Sequence, residues 1–233
     1  MNCVINQPNY IPWRGYFHQI QKADVFVFYD DVQYDKHGWR NRNRIKTPNG
    51  SVWLTIPVIK KGAVTNHIPI NEIFIDWTRN WSSKHWKTIE QSYGKAPFFE
   101  VYASMLKEIY VQRYDKLADL TIQLTILIAG ALGISGTEFV RSSSLNAGGT
   151  KTDRLLKILA QLGATHYITG PAAKNYLDEV KLAEVGISIE YMVYDYLEYS
   201  QLYPPYDPQV SILDLLFMRG PDSPKYIWEG AKI

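Results

Sequence analysis

The chain is poor in cysteine: Cys3 is the only one in 233 residues. No disulfide can form within it, which suits a reducing compartment. Cys3 falls in the first expected strand, where a lone thiol serves as a small buried hydrophobe. An excess of one charge is lacking as well, with 25 Lys and Arg against 23 Asp and Glu, a net of +2. That balance offers no cationic coat for nucleic acid, and no nucleic-acid partner is expected. Long hydrophobic runs are also missing. The most apolar stretch, Leu117 to Leu132, contains Asp119, Gln123 and Gly130, and is too short and too polar to span a bilayer. Pro8 and Pro12 interrupt any apolar stretch of a secretory leader. The expectation is a soluble, cytoplasmic protein without a transmembrane segment.

Several signatures of familiar chemistry are absent too. His18, His37, His67, His85 and His166 show no H-x-H or H-x-x-x-H spacing, so no metal site is expected. Ser142 to Ser144 lack a G-x-S-x-G frame, and the loop that follows them is not a G-x-x-x-x-G-K-[ST] loop. The motifs therefore name no cofactor. No repeat, linker or low-complexity tract divides the chain, and nothing in it names an oligomeric state.

What is present is a full core with aromatics to spare: 46% of residues are hydrophobic and 14% aromatic. Val4-Ile5 reads as a short buried strand, Tyr16 to Lys22 as a helix, and Val25 to Tyr29 as a strand buried on both faces. Ser51 to Val58 and Ile68 to Ile75 read as extended, with Lys60-Lys61-Gly62 as a hairpin connection. Trp77 to Tyr93, Phe98 to Tyr110 and Leu117 to Leu132 read as helices. Alternation then returns. Glu138 to Arg141, His166 to Thr169 and Ser188 to Tyr194 read as strands. Thr152 to Leu162, Ala172 to Ala183 and Val210 to Met218 read as helices, the first capped by Thr152 or Asp153 and ended by Gly163. Right-handed crossovers then predict a three-layer, doubly wound α/β fold, Rossmann-like, with a mainly parallel sheet. We expect one domain over 1–233, with 47–135 as an inserted hairpin and helices.

Two polar loops carry the chemistry. Gln7 to Gly15 follows a strand and precedes a helix, the position where backbone N–H groups greet an anion. Gly15 would permit close approach, Gln7 supplies a donor and an acceptor, and Tyr10 or Trp13 offers a stacking face. The alternative is a proline-rigidified turn whose aromatics are core. The second loop, Asp30 to Lys46, opens on a carboxylate at the end of a buried strand, where it is costly unless paired or functional. Gln33, Tyr34, Lys36, His37, Trp39, Asn41, Arg42, Asn43 and Lys46 follow closely. Asn41 and Asn43 share one face of an extended segment and Arg40, Arg42 and Arg44 the other. The alternative here is a solvated basic edge strand. His18 and His37, in or beside these loops, are acid–base candidates. The loop from Ser142 to Arg154, with Lys151, and the Thr169-Gly170-Pro171 turn occupy equivalent strand-end positions. Three such loops converge on one crevice in a parallel sheet.

These residues resemble a known family. Gln7-Pro8, Tyr10, Pro12-Trp13, Gly15-Tyr16-Phe17, Asp30, Val32-Gln33-Tyr34, Trp39 and Asn41-Arg42-Asn43 look like the signature of the WbqC-like proteins. So do Thr152-Asp153-Arg154, Gly170, Ala173-Lys174 and Ser211 to Leu216. The resemblance covers nearly the whole chain. It implies a cytoplasmic enzyme of bacterial O-antigen or surface-polysaccharide biosynthesis that attaches an acyl or aminoacyl group to a nucleotide-linked amino sugar. On that reading Asp30 or His37 deprotonates the attacking amine. The first loop's N–H groups, with Asn41 or Asn43, hold an oxyanion, while Arg42 and Lys46 clamp phosphates and Trp13 or Trp39 stacks on a ring. Gln7, Tyr10, Gln33, Tyr34, Lys36, Lys151, Arg154, Gly170 and Lys174 complete the expected small-molecule site. Competing readings are a non-catalytic nucleotide-sugar or glycan-binding protein and ATP-dependent nucleotidylyl transfer or amide ligation. The last draws on a layout similar to pantothenate synthetase and related nucleotidylyltransferases, although Trp13 and Tyr16 stand where their two phosphate-binding histidines would be.

Overall fold

The computed structural model describes residues 1–59 and 67–228. Five short strands form a wholly parallel sheet: β1 (Asn2–Asn6), β2 (Val25–Phe28), β5 (Glu138–Arg141), β6 (His166–Thr169) and β7 (Ser188–Tyr191). Their order is β5-β2-β1-β6-β7. The chain therefore winds outwards from β1 in one direction and, after β5, crosses back to β6 to wind in the other. This is the Rossmann-like arrangement, with its reversal between β1 and β6.

Side-chain alternation explains why both faces are covered. Val4, Phe26, Phe28 and Ile168 point into one apolar cluster, with Phe17 and Ile20 of helix α1 (Arg14–Lys22) and Leu120 and Leu124 of α4 (Leu117–Ala131). Their neighbours Cys3, Ile5, Val25, Val27 and Tyr167 point the other way. They meet Leu155, Ile158 and Leu159 of α6 (Lys151–Leu162) and Leu182 of α7 (Glu179–Glu184). Each such side chain removed from water contributes about 1.5–3 kcal/mol. Cys3 is fully buried, and burial pushes its thiol up to about 12.

Between β2 and β5 stand a hairpin, β3 (Arg42–Thr47) with β4 (Gly50–Thr55), and the helices α2 (Trp81–Tyr93), α3 (Phe99–Val111) and α4. The expected hairpin joined 51–58 to 68–75. Instead β4 turns back on the polar 42–47 segment. Gly50, at φ +100°, makes the turn, and Thr47 Oγ1 donates to the Gly50 carbonyl at 2.7 Å. Among the described residues the two expected partners meet in a single isolated bridge, Val58 to Ile75, with flanking backbone bonds from Ile59 to Phe74 and from Asp76 to Pro57, and Lys60-Lys61-Gly62 lies outside the described residues.

The C-terminal half needs three smaller corrections. The helix expected over 172–183 is a 3-10 turn, Pro171–Asn175, followed by α7, which Asp178 caps by accepting from the Lys181 N–H at 3.3 Å. Strand β7 ends at Tyr191, opposite Thr169, the last residue of its neighbour β6, and beyond it the Tyr194 hydroxyl accepts from Gln19 Nε2 at 2.8 Å. Thr152 does not cap α6; its Oγ1 accepts from the Asp178 N–H at 3.1 Å. The expected helix end at Gly163 is where α6 stops, at φ +68°. The last helix, α8 (Ile212–Arg219), follows as predicted within two residues, and a four-residue turn, α5 (Ser142–Leu145), follows β5. Among the described residues, no helix is long and apolar enough to cross a membrane.

Candidate functional site

A crevice of about 450 Å³ opens where the strand order reverses. Ile5, Asn6 and Gln7 bring the carboxyl end of β1 to it, Tyr29 and Val32 the segment after β2, and Tyr167 the strand β6. Lys151 and Leu155 bring the first turn of α6, and Arg40 and Tyr176 complete the wall. The position follows from topology: loops leaving adjacent parallel strands in opposite directions part and leave a gap.

The chemistry of the gap is cationic and aromatic. Nε and Nη1 of Arg40 are shielded from solvent, and neither has a hydrogen-bond partner among the described residues. Burial pulls this guanidinium below its usual range, opposed by Tyr16, Asp35 and Tyr34. A shielded donor pair without a partner costs about 1–3 kcal/mol or more, so the fold holds Arg40 ready for an acceptor it does not itself provide. Lys151 stands at the start of α6 with φ +50°, two residues after Gly149 at φ +100°. Thr150 makes no side-chain cap, so the first N–H groups of α6 add a second anion-favouring element. Arg154, one turn along, is committed elsewhere: it pairs with Asp31 and lies 5.1 Å from the Tyr29 ring centroid, bracing that ring.

The two polar loops are tied to each other. The Tyr10 N–H donates to the Trp39 carbonyl at 3.0 Å, and Asn43 Nδ2 donates to the carbonyls of Tyr10 and Ile11 at 3.2 and 2.7 Å. Those bonds hold Ile11, buried and β-branched, at φ +43°, a conformation such residues rarely adopt. Between the loops, Asn9, Pro12, Trp13, Trp39, Asn43 and Gln209 line a second depression of about 370 Å³.

Of the expected site residues, Gln7 and Lys151 line the crevice, and Trp13, Trp39 and Asn43 line the second depression. Gly15 makes room for Trp13 rather than for a ligand: a Cβ there would lie 2.4 Å from the indole. Tyr10 is core, its hydroxyl 2.9 Å from His85 Nδ1 and 2.8 Å from the Tyr110 hydroxyl. Tyr34 is buried as well, and burial raises its phenol to about 12. Asp30 is fully buried. Ser143 donates to it from both N–H and Oγ, at 3.0 and 2.9 Å, and Ser142 Oγ lies 3.2 Å away, so the carboxylate fastens α5 onto the end of β2. Buried Asn41 donates Nδ2 to the Ile56 carbonyl at 2.8 Å, while its shielded Oδ1 has no partner among the described residues. Buried Lys46 donates to Gln201 and to the Pro205 carbonyl, holding the 201–205 loop.

The remaining residues are more peripheral. Arg42 reaches the His37 carbonyl at 2.6 Å and stacks on Trp53 at 4.6 Å. His37, Gln33 and Lys36 are exposed. His18 is bound to the Tyr196 hydroxyl at 3.0 Å, and burial, then Lys22, lowers it to about 4, so it is neutral at pH 7. Gly170 begins the turn after β6, and Lys174 lies over the Tyr191 ring at 4.8 Å. Among the described residues, no group of three or more His, Cys, Asp and Glu gathers as metal ligands.

Sequence reasoning missed Arg40, Tyr29, Tyr167 and Tyr176 as crevice residues and His85 beneath the first loop. Arg40 had one visible signal, its place between Trp39 and Asn41 in the loop after β2.

No solved structure matches the chain significantly. An uncharacterized protein, Rv1507c, of Mycobacterium tuberculosis is 43% identical over 226 residues, which is 96% of this chain and 96% of the relative. The model of the WbqC-like protein family matches residues 7–226. The chain belongs to the WbqC-like protein family.

Proposed function

We propose that this protein is a transferase of bacterial surface-glycan assembly that binds a nucleotide-linked amino sugar in the crevice and forms an amide on it. The observation that carries this reading is the shielded, unpartnered guanidinium of Arg40 beside Lys151 at the sheet's reversal point. An anion such as a diphosphate supplies the missing acceptors, and the rings of Tyr29 and Tyr176 give an attached base or sugar a face to lie against. In the transfer, the sugar's amine nitrogen attacks the carbonyl carbon of an activated acyl donor. A C–N bond forms, the bond to the donor's leaving group breaks, and the amine proton passes to a base. Asp30 is enclosed, so His37, exposed and three residues from Arg40, takes the base role.

A second reading has its own observation: the crevice lining holds neither a carboxylate nor an imidazole. A protein that binds a nucleotide-linked sugar without changing it meets that description. Calorimetric titration with UDP-, dTDP- and GDP-linked amino sugars tests both. Binding that weakens about 10- to 100-fold in Arg40→Gln supports the site, in line with about 1.5–3 kcal/mol for a charge-assisted bond. Absence of binding across the panel overturns it. Mixing a bound sugar with acyl and aminoacyl donors then separates the readings, since only a transferase consumes the sugar. Loss of turnover in His37→Ala with binding intact identifies the base.

A further inference from the structure

The depression between the two polar loops shares aromatic faces with the crevice but differs from it in charge. Its lining residues, Asn9, Pro12, Trp13, Trp39, Asn43 and Gln209, include no charged side chain. Two indoles and three amides remain. Trp13 and Trp39 are 36% and 44% exposed, unusually open for side chains of their size.

Both indoles are nevertheless fixed. Trp13 packs in the space left by the missing side chain of Gly15 and meets the Tyr194 ring edge-on at 4.9 Å. Trp39 lies 5.4 Å from Trp53, which in turn sits beneath the guanidinium groups of Arg42 and Arg44 at 4.6 and 5.7 Å. Aromatic faces exposed but immobilised bind at little cost in ordering.

The polar groups are equally specific. Asn43 has spent both its Nδ2 donors on the strained loop. Asn9 Oδ1 is shielded from solvent and has no partner among the described residues. Gln209 Oε1 accepts from Arg44 at 2.9 Å, and no partner engages its Nε2 among the described residues. One acceptor and one donor group thus stand unengaged beside flat apolar faces.

We propose that this depression is a separate binding site for an uncharged pyranose ring. The C–H face of a pyranose stacks on an indole, and its hydroxyls donate and accept at once, matching Asn9 Oδ1 and Gln209 Nε2. The absence of charge disfavours a phosphate or a carboxylate, the ligands that suit the crevice. A glycan chain presented to the protein is the natural source of such a ring. The site stands whether or not the crevice binds a nucleotide.

The test is NMR on the tryptophan indole N–H signals, assigned by single substitution, during titration with four probes: the methyl glycosides of glucose, galactose, mannose and N-acetylglucosamine. Saturable shifts confined to Trp13 and Trp39 with at least one probe are expected. Trp39→Ala should weaken that binding at least tenfold and Asn9→Ala several-fold, while Trp77→Phe, distant in the sequence and outside the depression, should not change it. No saturable shift with any probe up to 50 mM (about the weakest binding the titration resolves) overturns the site. So do equal shifts with cyclohexanol, which would show general apolar adsorption. Arg40→Gln should leave glycoside binding within about twofold, so a failed crevice and a failed depression give different results.

Discussion

Two ionisable groups ten residues apart, Asp30, fully buried, and Arg40, half-buried with Nε and Nη1 shielded, are treated in opposite ways by the fold. Around Asp30 every need is met: Ser142 and Ser143 supply three donors, and the Arg141 guanidinium lies 4.0 Å away. Around Arg40 two guanidinium nitrogens have no acceptor among the described residues. A buried charge whose hydrogen bonds are all made belongs to the architecture, whereas shielded nitrogens left without an acceptor beside a crevice point to something that arrives later. Both residues open or cross the same loop, so sequence position alone did not separate them.

The largest test of that contrast is Asp30→Ala. It strands the Ser143 N–H and Oγ donors, while Ser142 Oγ keeps Asp31 Oδ1 at 2.5 Å, and it frees the β2–α5 junction. We expect a loss of about 3–5 kcal/mol, the cost of breaking a buried charged network, read by denaturant unfolding. Asp30→Asn keeps the shape and should lose about half as much. A loss below about 1 kcal/mol in Asp30→Ala breaks the comparison.

His85 extends it to pH. Burial holds the folded imidazole near 4, against an ordinary 6.5. Between those values only the unfolded chain takes up this proton. Stability is therefore full above pH 6.5 and is lost as pH falls towards 4, by about 3 kcal/mol from this group. His85→Gln, which keeps a hydrogen bond to Tyr10, should flatten that part of the stability–pH curve. Gly15→Ala comes next. Its methyl would overlap the Trp13 indole, and overpacking of this kind costs about 1–3 kcal/mol. The Trp13 indole N–H signal should move, with the crevice unaffected.

Legibility in the sequence followed the strength of the local pattern. Val25-Phe26-Val27-Phe28 announces a doubly buried strand, and β2 is buried throughout. The three-layer fold was readable from such runs and the helical periods between them. Strand β3 was readable as an extended segment with Asn43 on one face and Arg42 and Arg44 on the other, but its pairing with β4 was not, because its polar residues carry no apolar alternation to mark which neighbour it joins. Its inward positions are Asn43 and Ile45, and the first is buried only because it is spent on the strained first loop. For the candidate site, the sequence pointed to the loops that line the two concavities rather than to the role of each residue. Trp13 and Trp39 are left open at the surface, as a stacking face requires, but Tyr10, Asn41 and Lys46 are engaged by partners 15 to 159 residues away in the chain. Such pairings are set by tertiary contact and leave no local trace.

Arg40→Met is the smallest effect on stability and the sharpest probe of the comparison. Met keeps the aliphatic stem that packs in the wall and removes the shielded guanidinium. If the charge is architectural like Asp30, the loss should approach that of Asp30→Ala. If Arg40 awaits a ligand, removing two shielded nitrogens that lack an acceptor relieves their desolvation, and stability should be unchanged or raised by up to about 1 kcal/mol. If the proposed function holds, the same variant should lose any stabilisation that a nucleotide-linked sugar gives the parent protein, because such a ligand would bind only the folded crevice. Stability retained with ligand response lost would set Arg40 apart from Asp30 as a residue kept for binding at a cost to the fold.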